Sequence, residues 1–321
     1  MRFTQSLSKI LTLSLCGCLV FLIGCSDDNS DAPEEEMQQE LPVDNTARLS
    51  AKTLYEDLYL ASQTTPTDTA WNGDEPGCDP GEVPQATKDK IFMRLSYFRN
   101  AAGLNNTISE NATKSMKAQH AALMMDANNQ LEHNPPNSWK CYTSDGDEGA
   151  GNSLLTLTRN AEAITSYVRD QGANNGPVGH RRWLLWPRLA EIGIGNTDQA
   201  NAIWVLGNAG TPPGDAPEFI AWPPEGYVPD AVVYPRWSFS IAGADFSTAS
   251  VSVRDLNGNN ISLQVEALST VYGDPTIVWV PDGIDLNSEE DRAYTVSISG
   301  VTLNDELVDY EYQVILFDPL R

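Results

Sequence analysis

The spacing of apolar residues changes near residue 229, and that change divides the chain. Upstream the period is helical. Ile91, Leu95, Phe98 and Ala102 recur at i, i+4, i+7 and i+11, with Gly103 where a C-cap is expected. Thr107 and Glu110 have the spacing of a capping box, predicting a second helix whose apolar face holds Ala112, Met116, His120, Leu123 and Ala127. A third helix is predicted over 161–169, with Ile164, Tyr167 and Val168 inward. Earlier, Leu54, Tyr55 and Leu58 mark a shorter helix, followed by a Pro/Gly/Asp-rich loop that carries Cys78. The runs "EIGIG" (191–195) and "AIWVLG" (202–207) are candidate strands. Downstream the period drops to two. "RWSFSIAG", "ASVSVRDL", "ISLQVEAL", "TIVWV", "YTVSISG" and "YEYQVILF" are separated by turn signals such as Asn257-Gly258. Six or seven short strands in so short a stretch predict an immunoglobulin-like or fibronectin-like sandwich.

The N-terminus reads as a targeting segment. Arg2 and Lys9 precede an uncharged apolar run over 10–23, shorter than the ~20 residues of a bilayer-spanning helix. The run ends in "LIGC" (22–25), which resembles the bacterial lipobox, so cleavage after residue 24 and lipidation of Cys25 are expected. The acidic, proline-containing stretch 25–46 then predicts a disordered tether, and 47–83 the N-terminal helix and Cys78 loop. Net charge is −24 over 321 residues. With no basic stripe, nucleic acid is excluded as a partner, and a monomer is expected. Cys16 and Cys18 fall in the signal segment, which leaves Cys78 and Cys141. An oxidising destination favours their pairing over two free thiols.

Within 84–228, "YFRNAAGL" (97–104), "AQHAALMM" (118–125), "LEH" (131–133), "GHRRWLL" (179–185) and "EIGIG" occur in an order that resembles the bacterial branch of the CAP superfamily. That superfamily holds cysteine-rich secretory proteins, venom antigens and plant pathogenesis-related proteins. The resemblance implies an α-β-α sandwich, so the chain as a whole reads as α+β, with the all-β sandwich over 229–321. It also implies a cleft with two histidines and two acids. His133 and His180 match the histidine slots, and Asp170 the first acid. The family's "GEN" element is matched by Ala150-Gly151-Asn152, so the second acid is missing there, with Glu148 upstream as a substitute.

Imidazoles serve as zinc ligands or general bases near neutral pH. The alternative for both is a structural role, pinning loops through backbone carbonyls. His133 and His180, with Asp170, are the candidate catalytic set, and the two histidines are the candidate metal ligands, for zinc or calcium. Asn152, Glu148 and Arg181 are candidate binding residues. His120 reads instead as a core histidine. Trp183 and Trp186 read as buried, the alternative being a carbohydrate or lipid platform, and Arg181 and Arg182 as outward-facing or ion-paired, the alternative being an anion contact near the cleft. No GxSxG, HExxH or Walker loop is present. The acidic loop 282–291 lacks the central glycine of a calcium hand and reads as solvated. The expected protein is exported and lipid-anchored in the bacterial cell envelope, with the outer membrane favoured. It would bind a lipid, glycan or peptide in a His/acid cleft. The alternatives are a metal-assisted or histidine-based hydrolase, and a structural or adhesion protein acting through its β-sandwich.

Overall fold

The structure, a computed structural model, describes residues 45–65, 68, 71–172 and 175–321. The signal segment, Cys25 and nearly all of the acidic tether lie outside the described residues. Helix α1 (Asn45–Leu54) runs on into a wider π-helical stretch, Tyr55–Leu60. There Tyr55 and Tyr59 stack with centroids 4.9 Å apart and meet Tyr97 edge-on. Helix α2 (Gln85–Ala101) buries Ile91, Leu95 and Phe98 as the spacing predicted, and Gly103 follows it with φ 79°. That left-handed backbone favours glycine.

The next two expectations differ from the outcome. Ser109–Glu110 is not part of a capping box but a short strand, β1; Asn111 caps helix α3 (Ala112–Asn128) by accepting from the Thr113 and Lys114 amides. Glu110 instead takes Lys88 and the Ser115 hydroxyl. The buried face of α3 is also rotated. It presents Ala118, Ala121, Ala122 and Met125; Leu123 is buried as predicted, while Met116 is exposed and His120 half-buried. Strand β3 (Glu191–Asn196) fixes that rotation. A Cβ on Gly193 or Gly195 would lie 2.4 Å from the Lys114 carbonyl carbon or 2.1 Å from the Ala118 oxygen. Strand and helix therefore touch backbone to backbone, and only the small-residue stripe of α3 fits against the sheet.

Helix α4 (Ser144–Asn152) has no counterpart among the predicted elements. Its sequence, "SDGDEGAGN", is poor in helix formers. It forms because Thr143 caps it and because Gly149 lets it lie on α3, where a Cβ would come within 2.3 Å of the Lys117 oxygen. Strand β2 (Ser153–Thr156), helix α5 (Asn160–Arg169), helix α6 (Gly179–Leu184) and β4 (Asn201–Trp204) complete this half. The sheet order is β1-β3-β4-β2, antiparallel except for the β1–β3 pair. α3 and α4 cover one face and α2 and α5 the other, each face over its own apolar core. The half is therefore α-β-α.

Two further sheets follow. One runs β10-β11-β7-β5, built from Leu263–Val265, Thr276–Pro281, Trp237–Ser240 and Ile220–Trp222. The other runs β6-β13-β12-β8-β9, from Gly226–Pro229, Glu306–Phe317, Arg292–Leu303, Ser250–Asp255 and Asn260–Ile261. Their inner faces meet through Trp237–Tyr294 and Phe239–Tyr312 ring contacts, which makes a sandwich and the chain α+β. β5 and β6 begin before residue 229, so the sandwich starts earlier than the change in periodicity. The two halves share one compact unit, and an apolar core runs from Ile91 on α2 through Trp222 to Val314 on β13. Phe98 meets Trp222 at 5.1 Å across the seam. Cys78 and Cys141 are disulfide-bonded, with Cα atoms 5.1 Å apart.

Candidate functional site

The segment between α5 and α6 builds one wall of a cleft. α5 ends at Asp170, whose φ of 48° turns the chain, and Val178, at φ 49°, turns it back into α6. The two reversals return His180 to the carboxylate. Asp170 is 0% exposed and has both oxygens in use. Oδ2 accepts from the His180 amide at 2.9 Å, and Oδ1 lies 2.9 Å from His180 Nδ1. A carboxylate accepts here, so Nδ1 carries a proton, and in the neutral imidazole Nε2 is then the nitrogen with the lone pair. Tyr167 supports the ring edge-on at 5.4 Å, and its hydroxyl, with one proton to donate, lies 3.0 Å from each of three acceptors: the Leu154 carbonyl, the Asn201 carbonyl and Asn201 Oδ1. Burial raises the Tyr167 phenol well above its usual range, which keeps it a donor.

His133 stands on the opposite rim, exposed, after α3. Its Nδ1 lies 2.9 Å from the Ala150 carbonyl, at the end of α4. A carbonyl also only accepts, so His133 is held in the same tautomer as His180. The two imidazoles line one cavity of about 290 Å³ with Asp170, Asn152, Leu154, Trp183, Val205, Leu206 and Tyr272. The structure thus brings together His133, His180, Asp170 and Asn152. In each imidazole Nδ1 is spent on the protein, and Nε2 is the nitrogen left for a ligand.

Two candidates do not join them. Glu148 sits on the outer side of α4, paired with Lys117, and does not line the cavity. Arg181 is 1% exposed and also turns away. It donates to Val168 O at 2.6 Å, Arg236 O at 2.8 Å and Ser238 Oγ at 3.0 Å, tying the C-terminus of α5 to β7. Arg182 is also buried, donating to the carbonyls of Ser269 and Asp274. Neither arginine faces outward or pairs with a carboxylate, because backbone oxygens of the α5 end and the sandwich occupy the positions that acids were expected to take. Burial lowers both guanidinium pKa values to about 10. Trp183 is only half-buried and lines the cavity, and Trp186 donates Nε1 to Asp274 Oδ1 at 3.0 Å. His120 is half-buried rather than in the core. It lines a separate cavity of about 350 Å³ with Met116, Glu82, Lys88 and Glu110.

Tyr272 has no precedent in the sequence argument. It arrives from the loop between β10 and β11, some ninety residues beyond His180, and no spacing rule connects the two positions. Among the described residues no three of His, Cys, Asp and Glu group as a metal site. Calcium, which takes 6–8 oxygens, does not fit a cavity whose acid is already saturated. Zinc would find two protein ligands where catalytic sites commonly supply three.

Residues 93–206 match the family model described as the cysteine-rich secretory protein family, CAP. No curated protein matches the chain.

Proposed function

We propose that the chain, whose residues 93–206 match the CAP family model, acts by binding a small ligand in the cleft between His133 and His180. The observation that carries this reading is the matched pair of tautomers. Each imidazole is pinned through Nδ1 by an acceptor of the protein, a carboxylate for His180 and a carbonyl for His133. The cost of orienting both rings is met on folding, before any ligand arrives. Two fixed Nε2 acceptors beside Asn152, with Trp183 and Leu206 as apolar wall, suit a ligand that has hydroxyl or amide donors on an apolar frame.

A second reading draws on the His180–Asp170 pair. A buried carboxylate that holds Nδ1–H is the arrangement that orients a general base, and Nε2 would then take a proton from water in a histidine-based hydrolase. With Glu148 committed to Lys117, no second acid lines the cleft among the described residues to complete a two-acid scheme. Zinc, with two protein ligands, enters neither reading as a step. The N-terminal sequence adds the location. We place the chain on the bacterial cell envelope, exported and anchored through acylated Cys25. Loss of acyl labelling in Cys25→Ala tests that anchor.

The binding reading is tested by ligand-observed NMR of the full chain against lipid, glycan and peptide fragments, with tautomers read from ¹⁵N imidazole spectra. Hits should shift the Nε2 resonances of His133 and His180 and vanish in the His133→Ala/His180→Ala variant. Hits that persist in that variant place the binding elsewhere and sink the reading.

A further inference from the structure

The sandwich is packed into the cleft. Among the described residues lining the cavity, Tyr272 alone comes from beyond residue 206. Its loop is fastened to the α5–α6 segment at both ends. Arg182 donates to Ser269 O at 3.1 Å and Asp274 O at 2.9 Å, and Trp186 holds the Asp274 carboxylate. At the other end Arg236 bridges Glu266 Oε1, at 2.6 Å, to the Asp170 carbonyl, at 2.7 Å. The ring itself rests on bare backbone. A Cβ on Gly179, next to His180, would meet three Tyr272 ring carbons at 3.0–3.1 Å. A side chain there would push the ring away, so the glycine and the tyrosine fit as a pair.

We propose that Tyr272 is a specificity-determining wall of the cleft, and that it selects a ligand which lays a flat ring face against it, a pyranose ring being the chemical class. The proposal rests on the reading of the cleft as a binding site. An acyl chain asks for continuous apolar lining. Here the aromatic surfaces of Trp183 and Tyr272 share the cavity with His133, His180 and Asn152. A sugar ring presents a C–H face for an aromatic surface and hydroxyls around its edge for imidazole and amide groups. The loop carries the wall outward as well, with Leu268 exposed and Val271 72% exposed just ahead of the tyrosine.

The test is a glycan array of neutral hexose and N-acetylhexosamine oligosaccharides probed with the full chain, run beside a decanoate titration read by tryptophan fluorescence. Saccharide binding should weaken about tenfold in Tyr272→Ala and return in Tyr272→Phe, which keeps the ring face. Circular dichroism checks that each variant is folded. Decanoate binding without saccharide binding, or no saccharide bound at all, overturns the pyranose assignment. Unchanged affinity in Tyr272→Ala overturns the wall. If His133→Ala/His180→Ala abolishes binding while Tyr272→Ala does not, only this inference fails. If binding survives both, the cleft reading fails with it.

Discussion

Two of the cavities among the described residues are similar in size and lined by histidine, and they are built in opposite ways. The cleft of about 290 Å³ has two imidazoles whose Nδ1 atoms are occupied by a buried carboxylate and a carbonyl. The cavity beside α3, about 350 Å³, spends its polar groups on one another. Lys88 and Ser115 both converge on Glu110, and Gln119 is used by Pro80 O and the Asn196 backbone. His120 makes no side-chain hydrogen bond among the described residues to fix its tautomer. Volume and residue type are therefore poor guides to a site. What separates the two is whether polar groups are fixed by the protein yet left with one valence to spare.

The disulfide gives the largest expected effect and bears on both cavities. Cys78 leads into Pro80–Val83, the wall of the α3 cavity, while Cys141 lies between the His133 loop and α4. Joining residues 63 apart limits the unfolded chain, and the loop-entropy relation gives about 4 kcal/mol for that length. Urea unfolding of Cys78→Ala/Cys141→Ala should show a loss of that order. A loss under about 1 kcal/mol would mean that the unfolded chain is already confined near this loop.

Arg181→Met breaks the cleft side alone. Methionine fills much of the volume but leaves the carbonyls of Val168 and Arg236 without their donor. Stranding buried acceptors costs about 3 kcal/mol in total. A shift in the urea midpoint with unchanged slope is expected, and no change would mean that water replaces the guanidinium at the seam.

How much of this was legible in the sequence follows the same division. Local periodicity carried α2, α5, β3 and the sandwich strands, because their partners lie near in sequence or on one face. The family resemblance carried His133, Asp170 and His180 into one cleft. What escaped was set by backbone contact or long-range docking. Gly149 allows a helix where propensity argues against one, and Gly193 and Gly195 rotate α3 so that Met116 points out. Arg181 and Arg182 look like surface charges until the sandwich supplies Ser238 and the carbonyls of Arg236, Ser269 and Asp274. A charge count cannot reveal acceptors that belong to backbone fifty or ninety residues away.

The smallest expected effect sharpens the comparison most. His120 lines a cavity as roomy as the cleft, and by composition alone it is as good a ligand as His180. If orientation is what makes a site, removing it should matter little. Its ring anchors no loop, and Met116 beside it is already exposed. His120→Ala is expected to move the unfolding free energy by no more than about 0.5 kcal/mol, as for an ordinary surface substitution. It should also leave fragment binding and the ¹⁵N signals of His133 and His180 unchanged. His180→Ala, by contrast, strips Asp170 Oδ1 of its ring donor and leaves a 0%-exposed carboxylate held only through Oδ2. Equal losses of binding in the two variants would show that the cavities are coupled across the sheet, and that pinned tautomers are not what distinguishes them.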